Sequence, residues 1–171
     1  MNRSIIVIAI CIVAFALRIT EVLPPNFSPV AAIALFGAAF MTRRTVGLLI
    51  PLAILILSDA FLGFHSAAPA VYAGFLLIGL IGLSMRSNPT MFKAIGGAIA
   101  GSVIFFLITN AAVWCTGTFY PPTSAGLIEC YTAGLPFFRH TLVGNLVFTT
   151  ALFGAFKLAM IKWPQLGKVK A

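Results

Sequence analysis

A chain of 171 residues that is 61% hydrophobic and 8% charged, with a mean hydropathy of +1.09, lies far from soluble domains, in which about a quarter of residues are charged. This excludes a soluble globular protein and predicts an all-α integral membrane protein, a single domain over residues 1–171. The net charge of +8 reads as a topology signal with attraction to anionic lipid, and needs no nucleic-acid partner.

Spanning hydrocarbon takes about 20 mainly apolar residues per helix, each satisfying its own backbone hydrogen bonds. Six segments are predicted to do so, near 4–17, 28–41, 45–62, 67–85, 91–114 and 141–161. The apolar runs are continuous and lack the alternation of a membrane barrel. In the first segment, Arg3, the run 5–13 and Ala14-Phe15-Ala16 imitate a signal peptide, but Leu17-Arg18-Ile19 would be an unusual mature start, so the helix is expected to be retained. The second segment opens on Pro29 and covers only about 21 Å. It is expected to tilt, or to join irregular backbone lining a cavity.

The third segment carries Asp59 inside "ILILSDAFLGFH". An intramembrane carboxylate costs about 2.5 to 3.5 kcal/mol on insertion scales and is by default a functional-site hypothesis. Gly74, Gly79 and Gly82 on the fourth segment, and Gly97 and Gly101 on the fifth, permit close helix approach, most simply packing within the bundle. Asn110 and Trp114 share a face of the fifth helix, as Thr141, Asn145 and Thr149 do on the sixth.

Residues 115–140 read "CTGTFYPPTSAGLIECYTAGLPFFRH". The Tyr-Pro-Pro and Gly-Leu-Pro punctuation predicts an outer loop with a short extra helix near 124–133, capped by Thr123 or Ser124. Its aromatic residues suit the membrane boundary. Alternatively the loop forms a lid that brings Glu129, Tyr120 and Arg139 above Asp59.

Cytoplasmic segments retain lysine and arginine. With both termini inside, the inner segments hold Arg3, Arg43, Arg44, Arg86, Lys93, Lys162, Lys168 and Lys170, and Lys157 can snorkel to them; the outer ones hold Arg18 and Arg139. The polar residues of the helices then gather in the outer half as a bowl. The candidate substrate-binding residues are Asp59, Arg139, Arg18, Glu129 and His65 among ionisable groups, with Asn26, Asn110, Asn145, Tyr120 and Trp114. A lone buried carboxylate would take up a proton, so Asp59 is expected to pair with Arg139 or else Arg18. The structural alternative is that these groups only hydrogen-bond helices together.

No catalytic signature is present: one aspartate where an intramembrane aspartyl protease needs two, and no GxSxG, HExxH, P-loop or Rossmann glycine pattern. The chain reads as no enzyme and without a cofactor. His65, His140 and the cysteines lack metal-site spacing, while a Cys115–Cys130 disulfide stays open.

The stretches "PPNFSPVAAIALFGAAF", "LLIPLAILILSDAFLGFH", "FFLITNAAVW" and "YPPTSAGLIECYTAGLPFFRHTLVGN" resemble a family of uncharacterised bacterial multi-pass membrane proteins described as transport proteins, over nearly the whole chain. The helix count and the Gly/Ala-rich second and third segments are loosely similar to the substrate-binding subunits of energy-coupling-factor vitamin transporters, although the first helix lacks their Ala-xxx-Ala pair. These resemblances imply a bacterial inner-membrane protein that captures a small, vitamin-like solute from the outer face. Its partners would be the lipid bilayer and either a coupling transmembrane subunit with an ATPase or further copies of the chain. The alternative is a structural or assembly membrane protein that transports nothing.

Overall fold

Residues 30–40, VAAIALFGAAF, are apolar on every side, and such a helix must be enclosed. In a computed structural model, which describes residues 3–164 apart from Glu21 and Thr42, this segment is α2 (Val30–Phe40), with ten of its eleven residues buried. Around it stand α1 (Arg3–Ile19), α3 (Arg44–Leu62), α4 (Ala68–Ser84), α5 (Met91–Cys115) and α6 (Ser124–Lys162). α2 touches all five. The described residues contain no strand.

Small residues let the backbones close on α2. A Cβ added to Gly47 would stand 2.5 Å from the Gly37 carbonyl oxygen, and one on Gly82 would stand 2.6 Å from that of Leu35. Glycine is required at both places, because backbone cannot yield as a side chain tip can. On the α6 side Phe36 and Phe40 stack edge-on or tilted against Phe153 and Phe156, with centroids 4.6–5.6 Å apart. Ile33, Leu35, Leu55 and Ile78 complete the core between α2, α3 and α4.

The helices run back and forth, which sets two ends. Asp59 at the end of α3 accepts from Arg18 at the end of α1 and from Tyr72 at the start of α4. At the opposite end Arg86, just past α4, donates to the carbonyls of Ala38 and Met41 at the close of α2. Cations at a helix C-terminus complement both its free carbonyls and its dipole.

Two expectations need correction. The described residues form six helices, of which three, α3, α5 and α6, are long and apolar enough to cross a membrane. α2 and α4 are shorter apolar helices, and α1 has 17 residues. The outer loop with a separate short helix also does not exist. Thr123 accepts from the Gly126 N–H and caps a helix that continues unbroken for 39 residues, with Pro136 inside it. Proline removes one helical donor but need not end a helix whose flanks pack well, and here Tyr131 and Phe138 on either side of Pro136 pack on Phe106 of α5. The connection shrinks to the residues between Cys115 and Ser124. The expected inner cations Lys168 and Lys170 lie outside the described residues, as does Glu21.

Candidate functional site

The segment between α1 and α2 contains Pro24-Pro25, which cannot continue a helix, and Asn26, whose φ of +64° lies in the left-handed region that asparagine tolerates. The chain therefore turns without forming an element and lays irregular backbone across one end of the bundle. Beneath it is a cavity of about 550 Å³. Residues 23–29 form one wall, and Val71, Phe75, Ile78 and Phe105 of α4 and α5 form an apolar wall opposite. Arg18, Asn26, Ser28, His65, Thr141 and Asn145 supply polar groups. Irregular backbone beside a short α2, expected from the length of that segment, is what lines the cavity.

Arg18 is held rigidly where it enters this wall. Its Nε donates to Ser58 Oγ at 2.6 Å and one terminal nitrogen donates to Asp59 Oδ1 at 2.6 Å. Asp59 is only 2% exposed, against 25% for the Arg18 side chain, and its second oxygen accepts from the Tyr72 hydroxyl at 2.8 Å. Ser58 in turn donates to the Leu55 carbonyl at 2.9 Å. Both carboxylate oxygens are thus occupied. The other terminal nitrogen of the guanidinium makes no bond among the described residues and is left for the cavity.

On the opposite side Asn145, buried in α6, donates to Ser102 Oγ of α5 at 2.8 Å, and Ser102 passes its own proton to the Ala98 carbonyl at 2.7 Å. Asn145 lines the cavity. One turn deeper, the Thr149 hydroxyl is fully buried and has no hydrogen-bond partner among the described residues.

Of the ten candidates, the structure brings Arg18, Asn26, His65 and Asn145 to one cavity and sets Asp59 directly behind Arg18. It does not bring the others. Asn110 donates back to the Phe106 carbonyl at 2.8 Å, and Trp114 donates to the Pro121 carbonyl at 3.1 Å. The Asn110 bond stays within α5 and the Trp114 bond ties α5 to the connection, while Tyr131 donates from α6 to the Leu107 carbonyl of α5 at 2.7 Å. Tyr120 lies in the connection, while Glu129 and Arg139 are exposed on α6. The pairing of Asp59 with Arg139 is replaced by pairing with Arg18, because unbroken α6 carries Arg139 on its exposed side. Cys115 and Cys130 are free thiols, and Cys130 donates to the Asn110 carbonyl at 3.3 Å.

Sequence reasoning missed Ser102 and undervalued Ser58 and Tyr72. A lone serine in the fifth apolar run carries no periodicity, but Ser58 beside Asp59 is a visible signal: adjacent polar residues in a membrane-type helix can both bond one fork-shaped donor. No group of three or more His, Cys, Asp or Glu that could hold a metal ion occurs among the described residues.

No curated protein and no solved structure matches the chain significantly. A family model does, over residues 1–166, and the chain therefore belongs to DUF6580, a family of unknown function.

Proposed function

We propose that the protein is an integral membrane protein whose six helices form one bundle, and that it captures a small solute in the cavity beneath residues 23–29. The observation that carries this reading is the cavity itself. About 550 Å³ falls within the roughly 300–1,000 Å³ of small-molecule sites, which pair mainly apolar walls with a few converging polar groups. Among the described residues no carboxylate lines it. Among the described residues it offers the outer edge of Arg18, fixed by Asp59, beside the amides of Asn26 and Asn145. That chemistry suits a mostly apolar, vitamin-sized molecule bearing a carboxylate, carbonyl or other acceptor.

The described cations favour cytoplasmic termini: Arg43, Arg44, Arg86, Lys93, Lys157 and Lys162 stand at the end away from the cavity, against Arg18 and Arg139 at the cavity end. The cavity then faces outward. With no nucleotide motif of its own, the chain would act as a transporter driven by a gradient, or as the binding subunit of a complex. The reading of a structural membrane protein draws support from the α5–α6 hairpin, whose polar side chains bond to neighbouring backbone, but it leaves the cavity without a role.

The test is thermal unfolding of detergent-purified protein against a panel of vitamins, nucleobases and organic acids. A hit should be abolished by Val71→Phe, which fills the cavity from its apolar wall, with expression unchanged. A hit that survives Val71→Phe and also Asn145→Ala would remove the cavity as the site.

A further inference from the structure

At the other end of the bundle, the first turn of α3 and the end of α4 enclose a cleft of about 410 Å³ lined by Arg44, Leu83, Ser84, Arg86 and Ser87. Arg86 is anchored by its bonds to the α2 carbonyls. Ser84 has spent its proton on the Ile81 carbonyl at 2.7 Å. Arg44 and Ser87, by contrast, are exposed. The chain has three acidic residues; Asp59 and Glu129 stand at the cavity end, and Glu21 is outside the described residues. No described side-chain carboxylate pairs with Arg44.

The exposed guanidinium of Arg44 and the Ser87 hydroxyl, beside the positive charge of the anchored Arg86, match the oxygens of a phosphate, which arginine binds with paired donors. The surroundings decide what carries that phosphate. Leu83 lines the cleft, and the nearby Leu80 on α4 and Leu49 on α3 are exposed, which suits acyl chains better than water. We infer that this cleft binds the phosphate of one anionic phospholipid, an inference that rests on the reading of α3 and α4 as membrane-embedded.

The experiment uses full-length protein, stripped of lipid in neutral detergent and titrated with phosphatidylglycerol, phosphatidylcholine and inorganic phosphate, with binding read by native mass spectrometry and thermal shift. Phosphatidylglycerol should bind about tenfold more tightly than phosphatidylcholine, and R44Q should erase that preference. R43Q and K93Q remove the same charge outside the cleft and should keep the preference within about twofold. S87E, which sets a carboxylate in the cleft, should act as R44Q does and serves if R44Q does not fold. Equal losses in R43Q, K93Q and R44Q would show only diffuse surface charge and overturn the site. Inorganic phosphate that stabilises as well as phosphatidylglycerol at equal concentration would overturn the lipid assignment. Release of the chain from membranes by alkaline wash alone overturns the membrane reading and the lipid with it. Retention with an R44Q preference equal to wild type overturns the cleft alone.

Discussion

Arg18 and Asp59, 41 positions apart in sequence, meet at 2.6 Å and tie the end of α1 to the end of α3. The pair is not isolated, since Ser58 takes the guanidinium Nε and Tyr72 from α4 takes the second carboxylate oxygen. Three helices are thereby fixed at the level of the cavity. The buried carboxylate orients an arginine that lines the cavity.

A double-mutant cycle follows from that geometry. Removing one member of a desolvated pair strands the other and costs about 3 to 5 kcal/mol, whereas removing both can be close to neutral. Asp59→Asn and Arg18→Gln should each lower the unfolding midpoint in detergent more than the double mutant does. Arg139→Gln, on an exposed side chain, should change it little. Additive losses for Arg18 and Asp59 would refute the coupling.

The candidate site was legible in part, for identifiable reasons. Asp59 was visible because a carboxylate in an apolar run has no cheap explanation, and the cavity wall was foreshadowed by Pro24, Pro25 and the shortness of α2. The partner of Asp59 was not fixed, because a polar inventory gives the depth of Arg18 and Arg139 but not the side of the bundle each faces. The lid failed on Pro136: the rule that proline ends helices is statistical, and packing of Tyr131 and Phe138 on Phe106 overrides it. The count of six spans came from composition, whereas enclosure of α2 by its neighbours lets 11 residues form a helix well short of membrane thickness.

The hairpin and the cavity should separate under mutation. Asn110→Ala and Tyr120→Ala lie off the cavity, so any ligand-induced thermal shift should persist in both. Asn26→Gly, which keeps the left-handed turn, and His65→Ala remove exposed lining side chains and should weaken the shift without lowering the midpoint of the free protein. If Asn110→Ala alone abolishes the shift, the site belongs to the α5–α6 hairpin instead.

Glycine positions offer a check on helix packing independent of any ligand. At Gly47 a methyl group would meet the Gly37 carbonyl oxygen and carbon at 2.5 and 2.8 Å, so Gly47→Ala should cost about 1 to 3 kcal/mol through overpacking. Gly96 has nothing within 4 Å of an added Cβ. There alanine should be neutral or stabilising by up to about 1 kcal/mol, from helix propensity alone. Thermal unfolding of the two variants side by side reads the difference, and equal behaviour would contradict the α2–α3 contact.

Thr149 poses the opposite problem to Asp59, a buried polar group with no partner. Thr109, Thr132 and Thr141 each donate to the carbonyl four residues back, at 2.7–3.0 Å, but the Thr149 hydroxyl makes no such bond. A buried hydroxyl left unpaired costs about 1 to 3 kcal/mol by protein mutational data. Valine has nearly the same shape, so Thr149→Val should raise the unfolding midpoint if the hydroxyl is truly unpaired. Ser102→Ala should lower it, because it strands the Asn145 amide donor in the same layer. Loss of stability in Thr149→Val would instead mean that the hydroxyl is bonded in the working protein, through water or solute reaching one turn below Asn145. Recovery of the wild-type midpoint difference on adding a cavity ligand would then extend the site to Thr149.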